Sequence, residues 1–74
     1  MAEKAANRVA ELMDRAGGVM KAAAAMGIRL GTAYEYRNEG HVRLLGPALA
    51  LIEAAGVPES KQLATLRAIQ PKTK

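Results

Sequence analysis

The chain has 74 residues, a formal net charge of +4 and a sequence pI of about 9.9. It contains no cysteine and a single histidine, which excludes disulfides and thiolate metal sites and argues against a histidine-based zinc site. The length accommodates one domain, and the basic charge suits a polyanionic partner such as nucleic acid, or an anionic membrane surface.

The apolar residues are small. The chain has no Phe, no Trp and only two Tyr, and alanine supplies much of its hydrophobic content. Because such side chains gain less free energy from burial than aromatic ones, we expect a second copy of the chain to complete the core. The charged N-terminal stretch is unlike a signal peptide, and no apolar run is as long as a membrane span. We therefore expect a cytoplasmic protein of a bacterial host, located at the nucleoid and not at a membrane.

Helical periodicity predicts the first two elements. Residues 2–16 form an apolar face at helical spacing, and Gly17 and Gly18 follow as a stop. Residues 19–26 form a short second helix rich in alanine, which ends at Gly27. The residues that make up the first apolar face are Ala5, Val9, Leu12, Met13 and Ala16.

Three further helices are predicted in the second half. One covers residues 29–38 and ends in the turn Asn38-Glu39-Gly40, and another begins at Gly46-Pro47 and ends at Gly56. The last covers residues 59–69, and residues 71–74 form a disordered basic tail. No strand is predicted, so the expected fold is an all-α, compact five-helix domain over residues 1–70.

Residues 19–38 fit the spacing of a helix-turn-helix. Such a pair needs a small residue where the helices cross, a glycine in the turn, an apolar residue after it and apolar residues on the inner face of the second helix. These requirements are met by Ala23, Gly27, Ile28, Ala33 and Tyr36.

Beyond this motif, the sequence resembles the Cro and phage-repressor class of helix-turn-helix regulators, including lambda repressor. The turn Asn38-Glu39-Gly40 resembles the loop that ends their recognition helix, and Ala54-Ala55-Gly56-Val57 resembles the close of their fourth helix. The resemblance covers about residues 5–57. The chain departs from the class at Ala33, where Val or Ile is usual, and at Gly31, where a long polar side chain is common.

The resemblance implies that the helix over residues 29–38 enters the major groove of duplex DNA with its N-terminal end toward the bases. Arg29 is expected to bind guanine, Glu35 a cytosine amino group, and Leu30 or Tyr34 a thymine methyl, while Gly31 permits close backbone approach. The expected base contacts are Arg29, Leu30, Thr32, Tyr34 and Glu35. The expected phosphate contacts are Val19, Lys21, Arg37, Asn38, His41 and Arg43.

The function implied is that of a transcriptional regulator, a dimeric repressor of a phage or mobile element that binds an inverted-repeat operator. The dimer contacts are expected at Leu63, Leu66 and Ile69. We expect no cofactor, no metal, no small-molecule ligand and no catalysis, since the sequence shows no nucleophile-base pair, phosphate-binding loop or metal cluster.

Three other interpretations remain open at this point. The two helices of the motif are a purely structural pair in many small helical domains. The domain also fits a protein-interaction module, such as an antitoxin or an RNA-polymerase-binding factor. Finally, it fits a phage packaging or architectural DNA-binding subunit that contacts phosphates with weak sequence preference.

Overall fold

The computed structural model describes residues 7–71, and these residues contain five α-helices and no strand. The prediction of an all-helical, five-helix domain is confirmed at this level. The helices are α1 (Arg8–Arg15), α2 (Val19–Met26), α3 (Leu30–Glu39), α4 (Leu45–Ala54) and α5 (Glu59–Ile69). The predicted tail lies outside the described residues except for Pro71.

The first helix begins later than predicted. Asn7 has extended dihedral angles (φ −87°, ψ 98°), and its side-chain oxygen accepts a hydrogen bond of 3.1 Å from the backbone N–H of Ala10. Asn7 is therefore the N-cap of α1, because such a bond satisfies one of the amide groups that a helix start leaves without a partner. The predicted start at residue 2 is wrong for this helix, and residues 2–6 lie outside the described residues.

The remaining bounds agree with the prediction closely. Both α2 and α5 have the predicted bounds, whereas α4 begins one residue earlier, at Leu45. Arg29 was placed inside the third helix, but its backbone is extended (φ −73°, ψ 154°) and it is the N-cap of α3. This correction matters for function, because a cap residue lies at the tip of a helix and not on its side.

The core is built from small and medium aliphatic side chains. Five of its fifteen buried residues are alanines, Tyr36 is its one aromatic member, and no polar or charged residue of the described part is buried. Small side chains at helix crossings let the helices approach closely. The buried residues are Val9, Leu12, Met13, Ala22, Ala23, Met26, Ala33, Tyr36, Val42, Ala48, Leu51, Ile52, Ala55, Val57 and Ile69.

The last helix is anchored at its C-terminal end to the loop after α3. Ile69 is fully buried, and its carbonyl accepts a hydrogen bond of 2.7 Å from the N–H of Val42. The prediction that Ile69 contacts a second subunit is therefore wrong, because its side chain is enclosed within its own chain. Leu66 also packs partly against this core, and of the three predicted dimer residues only Leu63 is well exposed.

The helices are all short. Within residues 7–71, none is long and apolar enough to cross a membrane.

Candidate nucleic-acid interface

The third helix packs on one side only. It contacts α1 and α2, and within the described residues it makes no helix-to-helix contact with α4 or α5. Ala33 and Tyr36 face inward, with 0% and 9% of their surfaces exposed, as the motif predicts. The opposite side of α3 is consequently free to contact a partner.

The turn between α2 and α3 fits its predicted geometry. Gly27 adopts the left-handed conformation (φ 71°, ψ 31°), which glycine tolerates without steric cost. The N–H of Ile28 donates a hydrogen bond of 3.1 Å to the carbonyl of Ala23, and Ile28 packs partly against the core. Ala23 itself is buried. The turn therefore sets the direction of α3 relative to α2 through backbone geometry and packing together.

Four of the five predicted base contacts are exposed. Leu30 and Tyr34 are 41% and 48% exposed, and Arg29 and Glu35 are exposed as well. Thr32, the fifth, is half-buried. We call Arg29, Leu30, Gly31, Tyr34 and Glu35 the outer face of α3.

The start of α3 lacks a side-chain cap. Arg29 occupies the N-cap position, and no side chain forms a capping hydrogen bond there. The first amide groups of a helix have no partner within the helix and carry partial positive charge. The tip of α3 therefore combines the guanidinium of Arg29 with unpaired backbone donors, a combination suited to an electron-rich partner.

Arg37 differs from the other predicted phosphate contacts in that its partners lie on or next to α1. Its guanidinium is 3.8 Å from the carboxylate of Asp14 on α1, its Nε is buried, and its side chain is 33% exposed. Its carbonyl accepts a hydrogen bond of 2.6 Å from Nδ2 of Asn7. Both contacts connect α3 to α1, so Arg37 has a structural role that was not predicted, and its phosphate contact stays a prediction.

The loop after α3 carries two more of the predicted phosphate contacts, His41 and Arg43. Arg43 is exposed, and its Nη2 donates hydrogen bonds of 3.2 and 3.3 Å to the two carboxylate oxygens of Glu39. His41 and Asn38 are exposed nearby in sequence. An ion pair this exposed contributes at most about 1 kcal/mol, so a phosphate can compete for Arg43. The loop itself is held by the bond between Val42 and Ile69 and by a longer one, 3.5 Å, from Nε2 of Gln70 to the carbonyl of Arg43.

The start of α2 offers backbone donors and one cation. It has no side-chain cap and no acidic residue in its first turn, and Val19 is half-buried, so this residue presents only its backbone. Lys21 is exposed, and its aliphatic stem lies against Gly17. Both features are compatible with the predicted phosphate contacts at these positions.

The role of Asn7 was not predicted, because the residue falls inside the helix predicted over residues 2–16. The residue caps α1 through Oδ1 and binds the last turn of α3 through Nδ2. Asparagine is among the preferred N-cap residues, so the cap was detectable in principle. The contact with α3 was not, because thirty residues separate the two partners.

Comparisons of the chain with protein-family models, with curated proteins and with solved structures found no significant match. The described residues contain no cluster of three or more potential metal ligands of the His, Cys, Asp or Glu type.

Proposed function

We propose that this chain is a sequence-specific double-stranded DNA-binding protein of the Cro-like helix-turn-helix type, acting as a dimeric transcriptional repressor. One observation carries the proposal. The third helix packs on the rest of the domain through a single side and presents Arg29, Leu30, Tyr34 and Glu35 on the other. A helix exposed in this way fits the width of the DNA major groove.

The contacts would divide into two groups. Arg29 at the tip of α3 would bind guanine, Glu35 would accept from cytosine, and Leu30 and Tyr34 would pack on thymine methyl groups. Lys21, His41 and Arg43, together with the amide groups at the start of α2, would bind phosphates on either side. The net charge of +4 would favour association with DNA at low salt.

Dimerisation would place two copies of α3 about 34 Å apart, in successive major grooves of an inverted repeat. With Ile69 enclosed in the core, the proposed contact on α5 is reduced to Leu63, which is 60% exposed, and the partly buried Leu66. Sedimentation equilibrium of the wild type and of Leu63→Lys tests this surface. A dimer that the substitution converts to a monomer supports it, and a wild-type monomer at DNA-binding concentrations contradicts it.

The experiment that tests DNA recognition is selection from a random-sequence duplex library, performed at two salt concentrations. The wild type is compared with Arg29→Ala and with Arg67→Ala, a control that removes the same charge from α5. Arg67 is exposed on a helix that has no contact with α3 within the described residues. An enriched palindrome that Arg29→Ala relaxes at one symmetric position, at a cost of about 1–3 kcal/mol, is the expected result.

Other results would change the assignment. Binding without an enriched sequence, equally weakened by both substitutions, indicates the architectural DNA-binding alternative, because such binding depends on charge alone. The absence of binding at low salt contradicts any role on DNA.

A second candidate function, a protein-interaction module, is favoured by the exposed leucines of α4. Leu44, Leu45 and Leu49 are 58%, 54% and 40% exposed, and the last two lie one helical turn apart. A patch of this kind often marks a protein contact. Under this alternative, Leu45→Glu abolishes activity in the cell and Arg29→Ala leaves it intact, whereas the DNA-binding proposal requires Arg29→Ala to lose it.

A further inference from the structure

The glycines of this chain are unequal in what the fold requires of them. All seven lie within the described residues, and five of them have positive φ angles, between 71° and 109°, which other residues rarely adopt. These five are Gly17, Gly18, Gly27, Gly40 and Gly56. Each of these glycines ends a helix or joins two helices at a point where the backbone is left-handed or nearly so.

Gly46 has a different local reason. It lies in the first turn of α4 and directly precedes Pro47. A proline ring clashes with the Cβ atom of a preceding residue that has helical dihedral angles. Glycine has no Cβ atom, so Gly46 allows the helix to begin at Leu45, two residues before the proline.

Gly31 is explained by neither reason. It lies in the first turn of α3, its φ is not positive, and the next residue is Thr32. Apart from its chain neighbours and the nearby backbone of its own helix, a Cβ atom built on Gly31 would meet no atom within 4 Å. Alanine would therefore fit without strain, and it is the most favourable helix residue where glycine is among the least favourable. The fold alone does not account for glycine here.

The position of Gly31 on the helix indicates why a glycine is present there. At the helical period, Gly31 lies on the side of α3 opposite the buried pair Ala33 and Tyr36. Its neighbours at helical spacing are Tyr34 and Glu35, three and four residues further along, and both side chains are exposed. Gly31 thus leaves a stretch of bare backbone beside exposed side chains, and its own N–H is one of the uncapped amide groups in the first turn of the helix.

We infer that Gly31 is the point at which the backbone of α3 packs against the base-pair edges, so that this glycine determines how deeply the helix enters the major groove. The inference rests on the proposed function. A methyl group at this position would hold the backbone away from the bases, and Arg29, Leu30 and Tyr34 would then all lose contact together. Gly31 is in this sense a positioning residue for the base contacts around it.

The test compares Gly31→Ala with the wild type in two measurements, the thermal midpoint without DNA and the affinity for the duplex selected by the wild type. The expected result is a rise in midpoint of roughly 2–8 °C, since the substitution removes an unfavourable helix residue. The same variant is expected to bind the duplex at least tenfold more weakly. If the fold alone required this glycine, the substitution would not raise the thermal midpoint, and stability and DNA affinity would not change in opposite directions.

The matched control is Gly46→Ala, the same chemical change in the first turn of the next helix. It is expected to lower the midpoint, because the new Cβ atom meets the ring of Pro47. Its affinity for the duplex, measured at a temperature where both variants are folded, is expected to stay within about threefold of the wild type, since the substitution lies outside the outer face of α3.

The outcomes separate the inference from the function on which it rests. If the wild type binds no duplex, the proposed function fails and the inference fails with it. If the wild type binds a selected duplex and Gly31→Ala binds as tightly or more tightly, the inference alone is overturned. It is also overturned if Gly31→Ala lowers the thermal midpoint, because the fold would then need the glycine.

Discussion

The third and fifth helices are both lightly buried, but they differ in what their exposed sides contain. The third helix contributes Ala33 and Tyr36 to the core, and the fifth contributes only Ile69. Both helices expose cations and a carboxylate, but the outer face of α3 also carries an aromatic ring and a glycine, whereas α5 exposes neither. Each helix is therefore held on the core by a few buried residues. Substitutions can distinguish these residues from the exposed ones that are available to a partner.

The two tyrosines of α3 provide the largest expected contrast. Tyr36 is buried and Tyr34 is half exposed, although they lie two residues apart on one helix. We expect Tyr36→Ala to lower the free energy of unfolding by about 3–5 kcal/mol, because it leaves a cavity in a small core. We expect Tyr34→Ala to change it by less than about 0.5 kcal/mol and to weaken DNA binding instead. Urea unfolding of both variants checks this contrast, and equal destabilisation would contradict it.

The fifth helix allows the same comparison with aliphatic residues. Ile69→Ala is expected to cost about 2–5 kcal/mol of stability, since Ile69 is fully enclosed. Leu63→Ala is expected to cost less than about 0.5 kcal/mol in a monomer, because the side chain is mostly in water. The measurement is urea unfolding at a protein concentration low enough to exclude dimers. A large loss for Leu63→Ala under these conditions would show that α5 packs through its other side.

A smaller effect is expected at the contact between α1 and α3. Asn7→Ala removes the cap of α1 and the hydrogen bond to the carbonyl of Arg37. The expected loss is about 0.5–2 kcal/mol in the free energy of unfolding. Asn38→Ala is the matched control, because Asn38 is exposed and has no side-chain hydrogen bond among the described residues. Losses of the same size in both variants would argue against the capping role of Asn7.

The smallest effect separates two arginines that the sequence places in one group. Arg43→Ala is expected to reduce the slope of log affinity against log salt by about 1, because it removes one phosphate contact. Arg37→Ala is expected to leave that slope unchanged and to lower stability, since Arg37 binds Asp14. Titrations of a fluorescent duplex over a range of salt concentrations measure the slope. A reduced slope for Arg37→Ala would instead support its predicted phosphate contact.

Local sequence patterns predicted the helices well because their causes are local. The bounds of α2 and α5 follow from Gly27, Pro58 and the apolar spacing between such residues, all within a few positions. The start of α1 was harder to predict, because alanine-rich sequence before Asn7 favours continued helix while the asparagine side chain favours a cap. The two tendencies oppose each other, and only the folded contacts decide between them.

The roles of Arg37 and Ile69 depend on partners that are distant in the sequence. Arg37 pairs with Asp14, and Ile69 binds Val42. The pattern of Leu63, Leu66 and Ile69 predicts an apolar side of α5 but does not show which of them faces its own chain. Likewise, a basic residue near a recognition helix has the same appearance in sequence whether it faces DNA or another helix.

The hydrogen bond from the N–H of Val42 to the carbonyl of Ile69 makes this amide a reporter of the contact between α5 and the loop after α3. Because the amide of Val42 is bonded to the end of α5, its deuterium exchange requires the loop and that helix to separate. The exchange rate of this one amide therefore measures how often the loop and the final helix come apart. A chain that ends before Ile69 would lack the acceptor, and its loop would exchange as freely as an open turn.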